Sequence, residues 1–226
     1  IQNVEIKNVQ DTTFSGSQHG VALFARVDNG STKTLDVKVV NIHDFQKNGT
    51  AFFSDSGSTF TVNVLNSTIT GAGPTAVTAQ NGIQYSQAAG TLNGTLSGNT
   101  VSGITYTGAG TIATSILNFL ADLHIVGNTI TGAHTGIYSM DAPVRITDNV
   151  LSIINSGAAN GYAYGIIASD PPKAIPSPVV DDPANDAVVA SAFAAAPSTP
   201  LAIEVSRNTV TLTGGPVAKP SSGIEF

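Results

Sequence analysis

The run GNTITGAHTGIYSMDAPVRITDN, residues 127–149, decides the fold. Ile125, just ahead of it, and Ile146, inside it, hold the same place in consecutive copies of one unit, 21 residues apart. That period is too short for a domain and fits one turn of a solenoid. Working outward, the same short alternating strand and polar turn recur as VNVLNSTITG (62–71), GTLSGNTVSG (94–103), LHIVGNTITG (123–132), VRITDNVLSI (144–153) and IEVSRNTVTL (203–212). Asn99, Asn128, Asn149 and Asn208 share a position that Ser67 takes in the first of these copies. Apolar residues stand three before it (Val64, Leu96, Ile125, Ile146, Val205) and two after it (Ile69, Val101, Ile130, Leu151, Val210). Two earlier copies, VEIKNV (4–9) and VKVVNI (37–42), place Asn8 and Asn41 in a shorter turn.

A second marker is a Gly followed by a strand: GVALFAR (20–26), GTAFFSD (49–55), GIQYSQA (82–88), GIYSMD (136–141), GIIASD (165–170) and GIEF (223–226), with Ser115 in that place in SILNFL (115–120). Two or three strands per unit, period-2 alternation and no crossover helices predict a parallel β-helix of about seven coils, each strand pairing with its equivalent one coil on. At about 4.8 Å per coil the rod would be roughly 30–35 Å long. The recurring Asn is expected to stack at a bend, its amide donating to one neighbour and accepting from the other, in a left-handed conformation that Asn tolerates.

Composition agrees with this and excludes several functions. Charged residues are only 11% of the chain against roughly 25% in ordinary soluble domains, while 41% are hydrophobic and the mean hydropathy is +0.16. A net charge of -6 with nine dispersed Lys and Arg argues against nucleic acid as a partner. The absence of cysteine removes disulfides and thiolate catalysis without fixing a compartment. The longest low-polarity run, residues 187–196, is about half of what a membrane span needs. The chain opens at Ile1 with no leader-like stretch, so any secretion signal would have been removed or lie outside it.

NGIQYSQAAGTLNGTLSGNTVSG (81–103) and VGNTITGAHTGIYSMDAPVRITDNVL (126–151) resemble the right-handed parallel β-helix repeats of the pectin-lyase-like superfamily. The resemblance covers most of residues 1–170 and 201–226. It implies a right-handed coil and a secreted or cell-surface protein, bacterial in many cases. Its members include lyases, glycosidases, epimerases, esterases, tailspikes and adhesins, so it leaves activity open. The motif sets of polygalacturonases, pectin methylesterases and alginate epimerases are incomplete here. VQDTTF (9–14) lacks its companion motif, the Asp pair at 181–182 has no GHG partner, and Tyr138 and Asp141 are followed by Ala142 and Pro143 in place of His and Glu.

One segment breaks the repeat. Residues 171–200 are rich in Pro, Ala and Asp and form an inserted excursion from a single domain spanning 1–226. Asp182 as N-cap, Pro183 as first helical residue and Pro197 as a stop predict a helix over 183–196, with Val189 and Phe193 on one side. The excursion would serve as a pad over apolar surface or as one wall of a ligand cleft.

If Ile137 and Ile166 point inward, alternation turns Tyr138 and Ile167 outward, with Met140 and Ser169 on the same face. Asp141 and Asp170 then follow one coil apart, and Asp55 takes a comparable place in FFSDSG. Two carboxylates about 5 Å apart would repel by roughly 3 kcal/mol at an effective dielectric near 20, which separates their pKa values or invites a calcium ion between Asp141 and Asp170. No other cofactor is expected. The competing reading is that DAP, DPP and DSG are turns whose Asp accepts backbone hydrogen bonds. The catalytic candidates are Asp141, Asp170, Tyr138, Arg145 and His134, and the substrate-binding candidates are Asp181, Asp182, Met140 and Ser169. An acid and base pair would suit glycoside hydrolysis; Tyr or His with Arg would suit a lyase. His19, His43, His124 and His134 lack metal-ligand spacing, so no metal centre is expected from them.

Two functions stand side by side. One is an extracellular carbohydrate-associated protein that binds, and as an enzyme would cleave or modify, a polysaccharide or other glycan. The other is a non-catalytic structural or adhesive β-helix module of a larger surface protein. A strand close to Ile1 and another at GIEF predict open strand edges, hence flanking domains or end-to-end self-association.

Overall fold

The computed structural model describes residues 1–55, 57–87, 89–154, 163–169, 202–214 and 222–225. Coil 1 holds β1 (Glu5–Ile6), β2 (Val21–Val27) and β3 (Thr32–Lys38). Coil 2 holds β4 (Asn41–His43), β5 (Asn48–Ser54) and β6 (Thr59–Leu65). Coil 3 holds β7 (Thr68–Thr70), β8 (Asn81–Gln87) and β9 (Thr91–Ser97). Coil 4 holds β10 (Thr100–Ser102), β11 (Thr114–Phe119) and β12 (Asp122–Val126). Coil 5 holds β13 (Thr129–Ala133), β14 (Thr135–Met140) and β15 (Val144–Thr147). Coil 6 holds β16 (Val150–Ile154), β17 (Tyr164–Ser169) and β18 (Ile203–Ser206). Coil 7 holds β19 (Thr209–Thr213) and β20 (Ser222–Glu225).

Every third strand joins the same sheet. Sheet 1 runs β1-β4-β7-β10-β13-β16-β19, sheet 2 runs β2-β5-β8-β11-β14-β17-β20, and sheet 3 runs β3-β6-β9-β12-β15-β18. All pairings are parallel, and the described residues contain no helix. The chain is a parallel β-helix of seven coils. The expected helix over 183–196 lies outside the described residues.

Three aliphatic columns fill the interior, one from each sheet. Sheet 1 contributes Ile6, Ile42, Ile69, Val101, Ile130, Leu151 and Val210 in register. Sheet 3 contributes Val37, Val64, Leu96, Ile125, Ile146 and Val205. Sheet 2 contributes Ile83, Ile116, Ile137, Ile166 and Ile224, with Leu23 and Thr50 ahead of them. In coils 2–6 each column Ile, Leu or Val of sheets 1 and 2, and of sheet 3 as far as Ile146, removes its side chain from water, worth about 1.5–3 kcal/mol, and the columns exist because parallel pairing sets equivalents directly above one another.

Two corners shape the coil. From sheet 3 to sheet 1 the chain always turns in two residues, from Lys38 to Asn41 and from Ser206 to Thr209 alike. The first of the two is left-handed in every case: Val39, Asn66, Gly98, Gly127, Asp148 and Arg207 have φ between 50° and 65°. The second is the ladder residue, so the left-handed conformation expected of the Asn belongs to its predecessor. In coils 1 and 2 the ladder position holds Val4 and Val40, because Gln2 bridges Lys38 and Lys38 pairs with Leu65. Asn8 and Asn41 therefore stand off the ladder.

The corner leading into sheet 2 carries the glycines. A Cβ on Gly49, Gly82, Gly136 or Gly165 would sit 2.3–2.6 Å from the carbonyl oxygen of its equivalent in the next coil. The close approach of backbones favours glycine there, although Ser115 takes the place in coil 4. In coil 1 that place belongs to Ala22, since Leu23 pairs with Thr50; Gly20 lies two residues earlier than the repeat suggested.

Candidate functional site

Among the described residues, sheet 2 is buried on both faces in coils 2–6. Its strands β5, β11 and β14 are buried at every residue, where sheets 1 and 3 alternate buried with exposed. The outward residues of coils 4–6 form a second apolar cluster apart from the interior: Leu117, Phe119, Tyr138, Met140 and Ile167, joined by Ile112 and flanked by Tyr164. Tyr138, Met140 and Ser169 thus face outward as alternation predicts, but at 1%, 5% and 5% exposure they are buried. Burial, then the neighbouring Tyr164, pushes the Tyr138 hydroxyl well above its ordinary pKa, so it remains a protonated phenol at neutral pH.

The other candidates scatter from this face. Asp141 closes β14 at the corner toward sheet 3, with φ 50°, 3% exposure and its amide donating to Ser169 O at 2.8 Å. One coil earlier Leu120 takes the same place, with φ 64° and its amide on Met140 O at 3.0 Å. The corner therefore uses the Asp141 backbone in the way it uses that of a leucine. Asp55 falls one residue past this position, since Phe53, Ser86, Phe119 and Met140 share register, and it pairs with Arg26. Asp170, Asp181 and Asp182 lie outside the described residues, so the expected carboxylate pair and its calcium rest on a residue the structure does not describe. Among the described residues no group of three or more His, Asp or Glu side chains lies together as a metal ion would need.

His134 sits at the opposite edge of sheet 2, 4% exposed, where its Nδ1 accepts the Tyr106 amide at 3.1 Å. An imidazole accepting through Nδ1 carries its proton on Nε2, and here it holds the connector that brings Tyr106 past it. Arg145 stands on the outer face of sheet 3, its side chain 58% exposed, with Nε on Glu204 Oε2 at 2.8 Å. His134, Tyr138, Asp141 and Arg145 thus occupy two corners and two sheet faces, and the structure does not converge them.

The repeat's own side chains are better organised. At the sheet 3 to sheet 1 corner, Asn99 donates from backbone N and from Nδ2 to Asn128 Oδ1, Asn128 does the same to Asn149, and Asn149 to Asn208, all at 2.9–3.0 Å. Each Nδ2 also reaches a carbonyl of the preceding coil: Val64, Leu96, Ile125 and Ile146 in turn. Ser67 starts the series by donating its amide to Asn99 Oδ1.

Two features escaped the sequence reading. On the outer face of sheet 1, Thr68, Thr100, Thr129 and Thr209 share one register column with Val150, and Thr70, Ser102, Thr131, Ser152 and Thr211 share another. These columns carry hydroxyls and no charge across coils 3–7, and the threonines in them are exposed. Their signal was the repeated T-x-T/S beside the ladder Asn. The second feature is a buried polar network on the outer face of sheet 2 in coils 2 and 3, where Asn48 and Asn81 both donate to Gln84 Oε1 and Gln84 donates to Ser86 Oγ. Its signal was Asn-Gly at 48–49 and again at 81–82. No helix among the described residues is long and apolar enough to cross a membrane. Compared with protein-family models, curated proteins and solved structures, the chain finds no match in any of the three.

Proposed function

We propose that this chain is a non-catalytic structural or adhesive β-helix module of a secreted or cell-surface protein. The observation that carries this reading is the dispersal of His134, Tyr138, Asp141 and Arg145. Each is committed to its own place: a backbone amide, an apolar cluster, a left-handed corner and an ion pair. Acid and base catalysis needs groups within hydrogen-bond reach of one reacting centre. The resemblance to pectin-lyase-like repeats, with the right-handed coil it implies, belongs to this reading as an extracellular origin and not as an activity.

A second reading, carbohydrate association, is favoured by the hydroxyl columns of sheet 1. A neutral glycan would meet rows of donors and acceptors about 4.8 Å apart along the axis, without charge to desolvate. Screening a panel of neutral and acidic polysaccharides for binding and for new reducing or unsaturated ends tests both. The expected result is no turnover, and any binding weakened by Thr100→Lys with Thr129→Lys but unaffected by Asp141→Asn. Turnover that Asp141→Asn abolishes would overturn the non-catalytic reading.

A further inference from the structure

The corner leading into sheet 2 holds a file of buried oxygens with no donor. Asn48, Asn81, Thr114 and Thr135 are register equivalents in coils 2, 3, 4 and 5, 4%, 1%, 0% and 0% exposed. Asn48 Oδ1, Asn81 Oδ1, Thr114 Oγ1 and Thr135 Oγ1 have no hydrogen-bond partner among the described residues. The arrangement of the amides explains why. Gln84 Oε1 takes Nδ2 from both Asn48 and Asn81, at 2.7 and 3.2 Å, which fixes the two amides with their oxygens unspent. Asn81 reaches Gln84 three residues on in its own strand. Beside the file run the connectors 71–80 and 103–113, tied together by the bridge between Thr75 and Tyr106. They bring two more buried hydroxyls without partners, Thr78 Oγ1 and Thr105 Oγ1.

Leaving one buried polar atom without a partner is costly, and a native fold does not repeat the cost in four successive coils at one position. We infer that this corner binds a file of ordered water molecules, each donating to an Asn Oδ1 or a Thr Oγ1 and bridging to the next coil. Water matches the chemistry, since an amide oxygen needs a donor and a threonine hydroxyl offers both roles. A cation matches it less well. The file has no carboxylate, and Lys47, next to Asn48 and 5% exposed, sets its ammonium on Ala79 O at 2.8 Å, one residue from Thr78.

The test turns on a sign. In a dry site, Thr114→Val and Thr135→Val each remove an unsatisfied hydroxyl at nearly constant shape, and the melting temperature rises. In a hydrated site each removes a water's partner, and the melting temperature falls by about 2–4 °C per hydroxyl, while Thr→Ser at the same positions restores part of the loss. Alongside, a crystal structure of the unaltered protein at a resolution that places water is expected to show ordered waters on Asn48 Oδ1 and Asn81 Oδ1. A rise in melting temperature, these oxygens facing protein donors, or rubidium density in the file after a rubidium chloride soak would each overturn the inference.

Discussion

The two corners on either side of sheet 1 are built from the same residue types and reach opposite outcomes. Between sheets 3 and 1 the asparagines serve one another: Oδ1 of Asn128, Asn149 and Asn208 each takes two donors, and Nδ2 of Asn99, Asn128 and Asn149 each serves the next Asn and an earlier carbonyl. Between sheets 1 and 2, Asn48, Asn81, Thr114 and Thr135 stack just as regularly, yet Gln84 collects both amide nitrogens and the oxygens are left to something other than protein. Stacking identical polar residues is therefore not enough to make a ladder. The donors of one coil must meet the acceptors of the next, and one extra acceptor beside the column is enough to divert them.

The largest expected effect is at the saturated corner. Asn128→Ala removes five side-chain hydrogen bonds, two from Asn99 and three to Leu96 O, Val126 O and Asn149 Oδ1, and should cost about 4–5 kcal/mol at about 1 kcal/mol each. Asn208→Ala, at a half-buried position, should cost about half of that. Urea unfolding of the two variants gives the comparison directly, and equal losses would break the account of the ladder. A smaller effect separates the glycines of the two corners. Gly136→Ala drives a Cβ to 2.5 Å from Gly165 O and should cost about 1–3 kcal/mol. Gly127 is left-handed with open space around it, and Asn66 takes the same conformation at the same corner two coils earlier, so Gly127→Asn should stay within about 0.5 kcal/mol.

The smallest effect concerns the return of the chain after its longest coil, in which Asn149 and Asn208 stand 59 residues apart. There Arg207 donates twice to Asp148, at 2.7 and 2.8 Å, and Arg145 meets Glu204, three of the four exposed and Glu204 partly so. Hydrogen bonds and charge from Arg207 hold the Asp148 carboxyl below its ordinary range, and Ser206 followed by Arg145 does the same for Glu204. A carboxyl depressed in the folded state stabilises above the unfolded value of about 4, and that contribution disappears as pH falls through the folded value. Hydrogen-exchange protection of β18 and β19 should thus drop selectively below about pH 4 and weaken with salt, while Arg207→Gln should remove the share of the acid sensitivity due to Asp148. Unchanged protection would mean that the ladder alone anchors coil 7.

Period-2 alternation and the Asn turn were enough to read the architecture, and the interior columns through Ile69, Ile125 and Ile146 match register for register. Reading failed where one residue of offset matters. Asn41 looks like a ladder member but Val40 holds the position, because the corner is fixed at two residues and the first must be left-handed. Asp55 looks like Asp141 but falls one place later. The candidate site was legible only as a row of outward residues on β14. That the row is buried, and that Arg145 belongs to another face, is set by contacts between coils, which no local pattern records.

The invariant two-residue turn gives the molecule a spine and a fore-edge. Along the spine every coil is bound through the same two-residue turn, so the number of coils can grow only by adding another page with that turn. All variation in page width, from 21 residues to 59, is released on the other margins. A lineage that inserts chain into this fold accumulates its novelty along the sides flanking sheet 2, where connectors of any length can be trimmed or extended without reopening the binding.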